Sequence, residues 1–275
     1  MMRLAHRLYR KLFARPLFRR FNSSLLYFSL HGLGVLNFEN DQVSGERHLI
    51  QSWLKRKLTK EKLVFFDVGA NIGEYSGMLV DNFPTAMVHA FEPHPRNYMA
   101  LSTRAFLNGR VKCHNLALGE SQGSLTLYDR ADYSGSTHAS LHRAVISEIH
   151  QQQVVEFTVS VETLDAVADM EHVTYVDYLK IDTEGHELAV LAGASRLLRE
   201  GKIGIIQFEF NEMNVVSRVF FRDFRKILCN YDLYRLLPTG MILLGTNPLV
   251  TELFAYQNIV AVPKAANGAS ALSVS

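Results

Sequence analysis

Short apolar runs alternate with helical periodicities over most of the chain. Leu63–Val68 (LVFFDV) reads as a strand that runs into a glycine-containing turn, with a helix over Ile72–Asn82 behind it. Ala86–Glu92 (AMVHAFE) predicts a second strand, and Pro93 and Pro95 mark the turn and first position of a helix reaching about Asn108. Val111–Asn115 is a third strand and Tyr175–Ile181 a fourth, the latter followed by a helix from about His186 to Leu198 that Gly201 closes. Ile203–Phe210 is a fifth, with a helix near Arg218–Asn230 after it. Tyr231–Leu237 and Ala255–Val262 supply late strands. Strands alternating with helices imply an α/β fold with a doubly wound, mostly parallel sheet. Ligands on such sheets bind outside the carboxyl ends of the strands.

About sixty residues interrupt this rhythm between the third and fourth strands. Ser124–Tyr128 (SLTLY) and Val155–Val161 (VEFTVSV) alternate like strands and are expected to pair as an added β-ribbon. Between them Arg130–Gln153 is polar and rich in Ser and His, with Ser134, Gly135, Ser136, His138, Ser140 and His142. A long loop inside a compact domain is commonly functional, and this one is a candidate acceptor-binding lid.

Charge changes the picture at the other end. Residues 1–60 hold twelve Lys/Arg against three Asp/Glu, which leaves the remaining 215 residues net acidic by about seven. That asymmetry suggests an anionic partner for a basic, helical N-terminal extension over residues 1–60. Within residues 1–21, Leu4, Leu8, Leu12 and Phe13 share a helical face, ringed by Arg3, Arg7, Arg10 and Lys11, and Pro16 ends or kinks the helix. Two readings follow: peripheral contact with a membrane, at the inner face of a cytoplasmic protein, or a helix packed on the domain with its arginines in water. The second is the plainer expectation. No run of 18 apolar residues is present, and the opening lacks a signal-peptide pattern. Cys113 and Cys229 sit in apolar segments and read as small buried residues of a reducing compartment. The main domain is expected over residues 61–263, and residues 264–275 read as a disordered tail.

Candidate chemistry lies at strand ends. Asp67-Val-Gly69-Ala-Asn71-Ile-Gly73 falls where the first strand turns into the first helix. Gly69 allows a tight turn, Asn71 tolerates left-handed backbone geometry, and Gly73 lets the helix start close to a ligand. The spacing misses the G-x-G-x-x-G dinucleotide fingerprint. It resembles the D/E-x-G-x-G-x-G turn of class I methyltransferases, with Asn71 in the middle position. Glu92 ends the second strand, 19 residues beyond Gly73, where an acid can accept hydrogen bonds from both ribose hydroxyls of an adenosine. It could also serve as a helix N-terminal acid, and ribose binding is the favoured reading. Leu118, past the third strand, lies where the adenine edge would be. Lys180-Ile-Asp182-Thr-Glu184-Gly185-His186-Glu187 crowds ionisable groups at the end of the fourth strand. There Asp182 would point at the cofactor's methionine portion, and His186 is the natural general base, held by Glu184 or Glu209. Glu209, Asn211 and Glu212 form a second acidic strand end.

Together the DVGANIGEYS turn, the AFEPHP strand end, the SVETLD ribbon exit and KIDTEGHE followed by VLAGA resemble the FkbM family of methyltransferases, from about Leu63 to Asn211. His31 to Glu46 (HGLGVLNFEN-x3-SGE) also looks like bacterial members. The resemblance implies a Rossmann-like class I methyltransferase fold and O-methylation with S-adenosyl-L-methionine, on sugar or polyketide hydroxyls. It places Asp67, Gly69, Asn71, Gly73, Glu92, Leu118 and Asp182 at the cofactor, and Asp182, Glu184, His186 and Glu209 at the chemistry. As a variant, Asp182, Glu184, Glu209 and Asn211 offer oxygen ligands for Mg²⁺; no Cys/His spacing for zinc is present. The rivals are an NAD-dependent oxidoreductase and a non-enzymatic nucleotide- or membrane-binding module. The net-acidic body speaks against a nucleic-acid partner. The oligomeric state, a homo-oligomer included, stays open.

Overall fold

The computed structural model describes residues 2–104, 109–130, 139–149 and 151–265. Residues 105–108 at the end of a predicted helix, Ser134, Gly135, Ser136 and His138 of the polar loop, and the tail beyond Ala265 lie outside the described residues.

Eleven described strands form two sheets: β1 (Leu63–Val68), β2 (Ala86–Phe91), β3 (Val111–His114), β4 (Ala117–Leu118), β5 (Gly123–Arg130), β6 (Val154–Glu162), β7 (Val176–Ile181), β8 (Ile203–Phe210), β9 (Tyr231–Leu237), β10 (Gly240–Leu243) and β11 (Gln257–Pro263). The main sheet runs β10-β9-β11-β8-β7-β1-β2-β3. Neighbours among β3, β2, β1, β7 and β8 pair in parallel. β11 is inserted antiparallel between β8 and β9, and β10 adds a hairpin edge. Strand order reverses between β1 and β7, which is where a doubly wound sheet opens its ligand crevice. The predicted ribbon is present: β5 and β6 pair antiparallel from Gly123↔Val161 to Arg130↔Val154, and β4 joins them.

Residues 1–60 divide in two. Helices α1 (Met2–Phe13) and α2 (Arg19–Gly32) carry no buried residue from position 3 to 33. The expectation that α1 packs on the domain is therefore corrected. Pro16 breaks the helix, and Phe13 packs instead on Phe18 and Phe21, with ring centroids 5.0 and 5.7 Å away. The chain joins the body at Gly34, Val35 and Asn37, which are buried, and Leu36 N–H donates to the Tyr256 carbonyl at 2.8 Å. Leu49, Ile50, Trp53 and Leu54 then pack on the sheet through a wide helical turn.

The β1 side chains alternate between faces, as strand geometry requires. Phe66 and Val68 meet Leu179, Ile181 and Phe208 on one side. Leu63 and Phe65 meet Val88, Tyr178 and Ile205 on the other. Leu79, Val80 and Phe83 from α3 (Glu74–Asn82) cover that second face. The helix α4 (Pro95–Thr103) follows β2, and α5 (Leu164–Met170) and α6 (Glu187–Ala192) help cover the first face through Leu164, Val167, Val190 and Leu191. Truncating a fully buried phenylalanine such as Phe65 or Phe66 costs about 3–5 kcal/mol.

One predicted helix is divided and another gains a neighbour. The stretch from His186 to Leu198 breaks after Ala192 because Gly193 lies against the Gly119 carbonyl, 2.0 Å from where a Cβ would sit. The helix expected near Arg218–Asn230 is present as Phe221–Ile227, and a short helix that was not expected, Met213–Ser217, precedes it, with Arg218 in left-handed geometry between them. Neither cysteine is a buried core residue: Cys113 is half-buried on the edge strand β3, and Cys229 is exposed in the turn before β9. No described helix is long and apolar enough to cross a membrane.

Candidate active site

The β1–α3 turn supplies three left-handed residues in succession: Gly69 (φ 82°), Asn71 (φ 49°) and Gly73 (φ 84°). The Gly69 and Ala70 amides both donate to the Phe91 carbonyl, which clamps the turn to the end of β2. Gly69 also lies against β7, where a Cβ would sit 1.7 Å from the Asp182 carbonyl oxygen. Asp67 is fully buried beneath the turn, and its Oδ2 accepts from Ser76 Oγ at 2.6 Å. Burial raises its pKa, and Lys180 works in the opposite direction.

At the end of β2, the Glu92 carboxylate is fixed from both sides. Oε2 accepts from the Asn71 amide and Oε1 from the His94 amide, each at 2.8 Å. Both oxygens keep a lone pair for a further donor. Burial pushes the carboxyl up to about 7, against the pull of these two N–H groups. Both readings of Glu92 thus have a basis, since it orders the α4 entrance and also lines a pocket.

That pocket encloses about 570 Å³ of free space, open solvent at its mouth included. Glu92, Asn71 and Asp182 give it polar walls, and Phe91, Leu118 and Leu141 give it apolar ones. The described part of the polar loop roofs it. Tyr128 and Ser140 exchange two backbone hydrogen bonds at 2.8 and 2.9 Å, and Ser140 Oγ donates to the Glu184 carbonyl at 2.7 Å. Glu184 and His186 line the same pocket. His186 faces His142 across 6.2 Å between ring centroids, and burial, with His142 beside it, lowers its pKa to about 4. It is a neutral imidazole at pH 7.

A second, larger pocket of about 1880 Å³, counted the same way, opens on the far side of Asp182. Its walls include Glu46, Tyr75, Lys180, Glu209 and Tyr256. Asp182 lines both pockets and marks their junction; His186 does not line the second. Lys180 Nζ donates to Asp182 Oδ2 at 2.8 Å and lies 4.7 Å over the Tyr75 ring. Burial works against its charge, yet Asp182, Asp67, Glu46 and Glu209 more than offset it, and its pKa is raised. Burial, then Asp182 and Glu184, raise the Glu209 carboxyl well above the ordinary carboxylate range. Asn211 Nδ2 lies 3.4 Å from Glu209 Oε2.

A hydrogen-bonded chain runs below this pocket, and the motif reading did not find it. The Tyr75 and Tyr178 hydroxyls meet at 2.6 Å and both lie within hydrogen-bonding distance of Gln207 Oε1, with one proton each to share among the three contacts. Gln207 Nε2 reaches Glu46 Oε1 and Asn258 Oδ1, each at 2.8 Å, and Asn258 Nδ2 donates to the Tyr256 hydroxyl. The available signal was a polar residue inside an apolar buried strand, as in IGIIQFEF and QNIVAVP. Glu187 is another such residue. Its Oε1 accepts from Thr183 N, Thr183 Oγ1 and Gly185 N, all at 3.0 Å, and so holds the β7–α6 turn that presents Asp182.

Residues 67–235 match the methyltransferase FkbM domain. "Hexuronic acid methyltransferase AglP" of Haloferax volcanii is 27% identical over 168 residues, 59% of this chain and 62% of that protein. "Methyltransferase 1" of Beauveria bassiana is 27% identical over 140 residues, 46% of this chain and 56% of that one. The chain thus spans about three fifths of the length of the curated relatives it matches. The crystal structure of methyltransferase FkbM from Methylobacillus flagellatus superposes with a TM-score of 0.45 at 16% identity, over 78% of this chain and 47% of that one. The doubly wound sheet is the Rossmann-like class I methyltransferase fold that the motifs implied. With the domain match covering more than half of its residues, the chain belongs to the FkbM methyltransferase family.

Proposed function

We propose that this chain is an S-adenosyl-L-methionine-dependent O-methyltransferase that acts on a hydroxyl of a carbohydrate or related polyol. The observation that carries the reading is the junction of two pockets at Asp182, one fitted for an adenosine and the other lined by acids and a lysine. The first fits the cofactor in its donor set. It has a carboxylate with two unused lone pairs for ribose hydroxyls, apolar walls for a flat base, and a left-handed turn that brings backbone close. Gly69, Asn71, Glu92 and Leu118 would hold S-adenosyl-L-methionine, whose sulfonium supplies an electrophilic methyl group with a neutral leaving group. Asp67 and Gly73 shape the turn from below and behind.

The second pocket would take the acceptor. Polar walls from Asn40, Asp41, Glu74 and Glu209 offer groups that exchange hydrogen bonds with a polyol, and the resemblance to a hexuronic acid methyltransferase supports the glycan class. Holding an acceptor oxygen in line at the pocket junction is the larger contribution to rate. Glu209, at the wall of this pocket beside Asp182 and with its pKa raised by burial and then by Asp182, is the group we assign to take the hydroxyl proton. Lys180 keeps Asp182 oriented and places positive charge beside the developing alkoxide. His186, expected as the base, lines the other pocket with a lowered pKa, and we assign it to packing there. The Lys180 ammonium is the counter-charge of Asp182, and the reaction we propose is written without Mg²⁺.

Calorimetric titration with S-adenosyl-L-methionine, S-adenosylhomocysteine and NAD⁺ tests the reading. Both sulfur ligands should bind, and Glu92→Ala should weaken them about 30-fold, since hydrogen bonds to a charged group contribute about 2 kcal/mol. Binding of NAD⁺ alone, or of none of the three, overturns it.

A further inference from the structure

α1 and α2 form an arm that projects its apolar side chains into solvent. Leu4 is 73% exposed, Leu8 57%, Leu12 44% and Phe28 73%, and Phe21, Leu25, Leu26 and Tyr27 are exposed as well. Scattered exposed apolar residues are ordinary, but a contiguous set of this size on two adjoining helices marks an interaction surface. The arrangement within α1 is ordered. At 3.6 residues per turn, Leu4, Ala5, Leu8, Tyr9, Leu12 and Phe13 occupy roughly one half of the helix circumference. Arg3, His6, Arg7, Arg10 and Lys11 occupy the other half.

Charge identifies what such a face meets. Residues 1–38 contain seven Lys/Arg, and the first acidic residue of the chain is Glu39. A second protein would have to match an apolar stripe flanked by uncompensated positive charge on both helices; an anionic lipid surface offers hydrocarbon and phosphate together. Length fits lying on that surface rather than crossing it. α1 has 12 residues and α2 has 14, roughly 18 and 21 Å long, against a hydrocarbon core of roughly 30 Å. The corner between them is fixed: the Tyr9 hydroxyl donates to Asn22 Oδ1 at 2.6 Å, Asn22 Nδ2 donates to the Phe13 carbonyl at 3.0 Å, and Phe13 packs on Phe18.

The arm is also tied to the second pocket. Five residues, Leu33 to Asn37, separate α2 from Phe38, which lies on the pocket wall with its ring 6.0 Å from that of Tyr256. The fully buried Arg235 secures the root, with its guanidinium on the Leu33 and Val250 carbonyls and on Gln257 Oε1.

We infer that the α1–α2 arm docks the protein on an anionic membrane surface through the Leu4, Leu8 and Leu12 stripe and the surrounding arginines. The inference stands independently of the methyltransferase reading. Flotation of the full chain with phosphatidylcholine vesicles, with and without 30% phosphatidylglycerol, tests it. Two variants run beside the wild type: Leu8→Asp/Leu12→Asp, and Arg3→Gln/Arg7→Gln/Arg10→Gln. The wild type should bind the anionic vesicles at least tenfold more than the neutral ones. Either variant, and 0.5 M salt for the wild type, should reduce binding at least tenfold, with the urea-unfolding midpoint of the body unchanged in both variants. Equal binding to both vesicle types, binding that survives Leu8→Asp/Leu12→Asp, or no vesicle binding overturns it. So does a wild-type dimer in sedimentation that the leucine variant dissolves while vesicles stay unbound, because the stripe would then belong to a second copy. Tighter binding to heparin than to anionic vesicles, unaffected by the leucine variant, would assign the arm to a soluble polyanion instead.

Discussion

Replacing Gly69 by alanine tests whether the contact between the β1 turn and the end of β7 holds the site together. Two penalties add. The backbone there has φ 82°, which costs a residue with a Cβ about 1–2 kcal/mol. The new methyl carbon would fall 1.7 Å from the Asp182 carbonyl oxygen, whereas a carbon–oxygen contact needs roughly 3.3 Å, so the two segments must part by roughly 1.6 Å. That movement breaks the hydrogen bond from the Asp182 amide to the Val68 carbonyl, now 2.9 Å, and strains the Gly69 amide on the Phe91 carbonyl. Each bond is worth about 1 kcal/mol. The sum is about 3–4 kcal/mol, a large part of an ordinary domain's stability. Urea unfolding reads it as a lower midpoint with an unchanged slope. Calorimetry on the folded fraction should show S-adenosyl-L-methionine affinity reduced at least tenfold, since Asp182 moves with the turn. A loss below about 1 kcal/mol with affinity intact would refute the geometry.

Glu209→Gln should lower kcat by about 10²–10⁴-fold and remove the acidic limb of the pH–rate profile, while His186→Asn should leave that limb in place; the reverse result would return the proton to His186. Glu92, with its pKa pushed up to about 7, is expected to bind ribose hydroxyls best when ionised, so cofactor affinity should rise roughly tenfold from pH 6 to pH 8 and become flat in Glu92→Gln. Folding stability runs the other way. With a native pKa above the unfolded one, the Glu92 contribution is complete below about pH 4.3 and lost as pH rises through about 7. Gln207→Leu strands Glu46, Tyr75 and Tyr178 without their shared partner and should cost about 2–4 kcal/mol in urea unfolding, with kcat falling as the pocket floor loosens. Dialysis against EDTA should leave the methylation rate unchanged; a loss restored by Mg²⁺ would overturn the assignment of the counter-charge to Lys180.

The sequence was most informative where one strand carries both core and site. LVFFDV is apolar enough to announce a buried strand, and its end coincides with a turn whose residue types are dictated by backbone geometry, so both fold and turn could be read together. Long-range proximity was not legible. Nothing local to IGIIQFEF says that Gln207 meets Glu46, 161 residues away, or that the Gly119 carbonyl would interrupt a helix at Gly193. Residue type alone did not show that His186 is buried beside His142, where its pKa is lowered to about 4, or that it lines the smaller pocket and not the one that holds Glu209. The basic count over residues 1–60 was correct as a sum but concealed two behaviours, an exposed arm and a buried helical run that begins only after Gly34.

The roof over the smaller pocket has a consequence for how that pocket opens. Ala139 and Leu141 close over a space whose other walls come from strand ends, turns and the ribbon, and four hydrogen bonds around Ser140 hold them there. The larger pocket opens on the other side of Asp182 and does not need those bonds broken. A change in the loop that parts the Ser140 contacts would thus open the smaller pocket while leaving the walls of the larger one as they are.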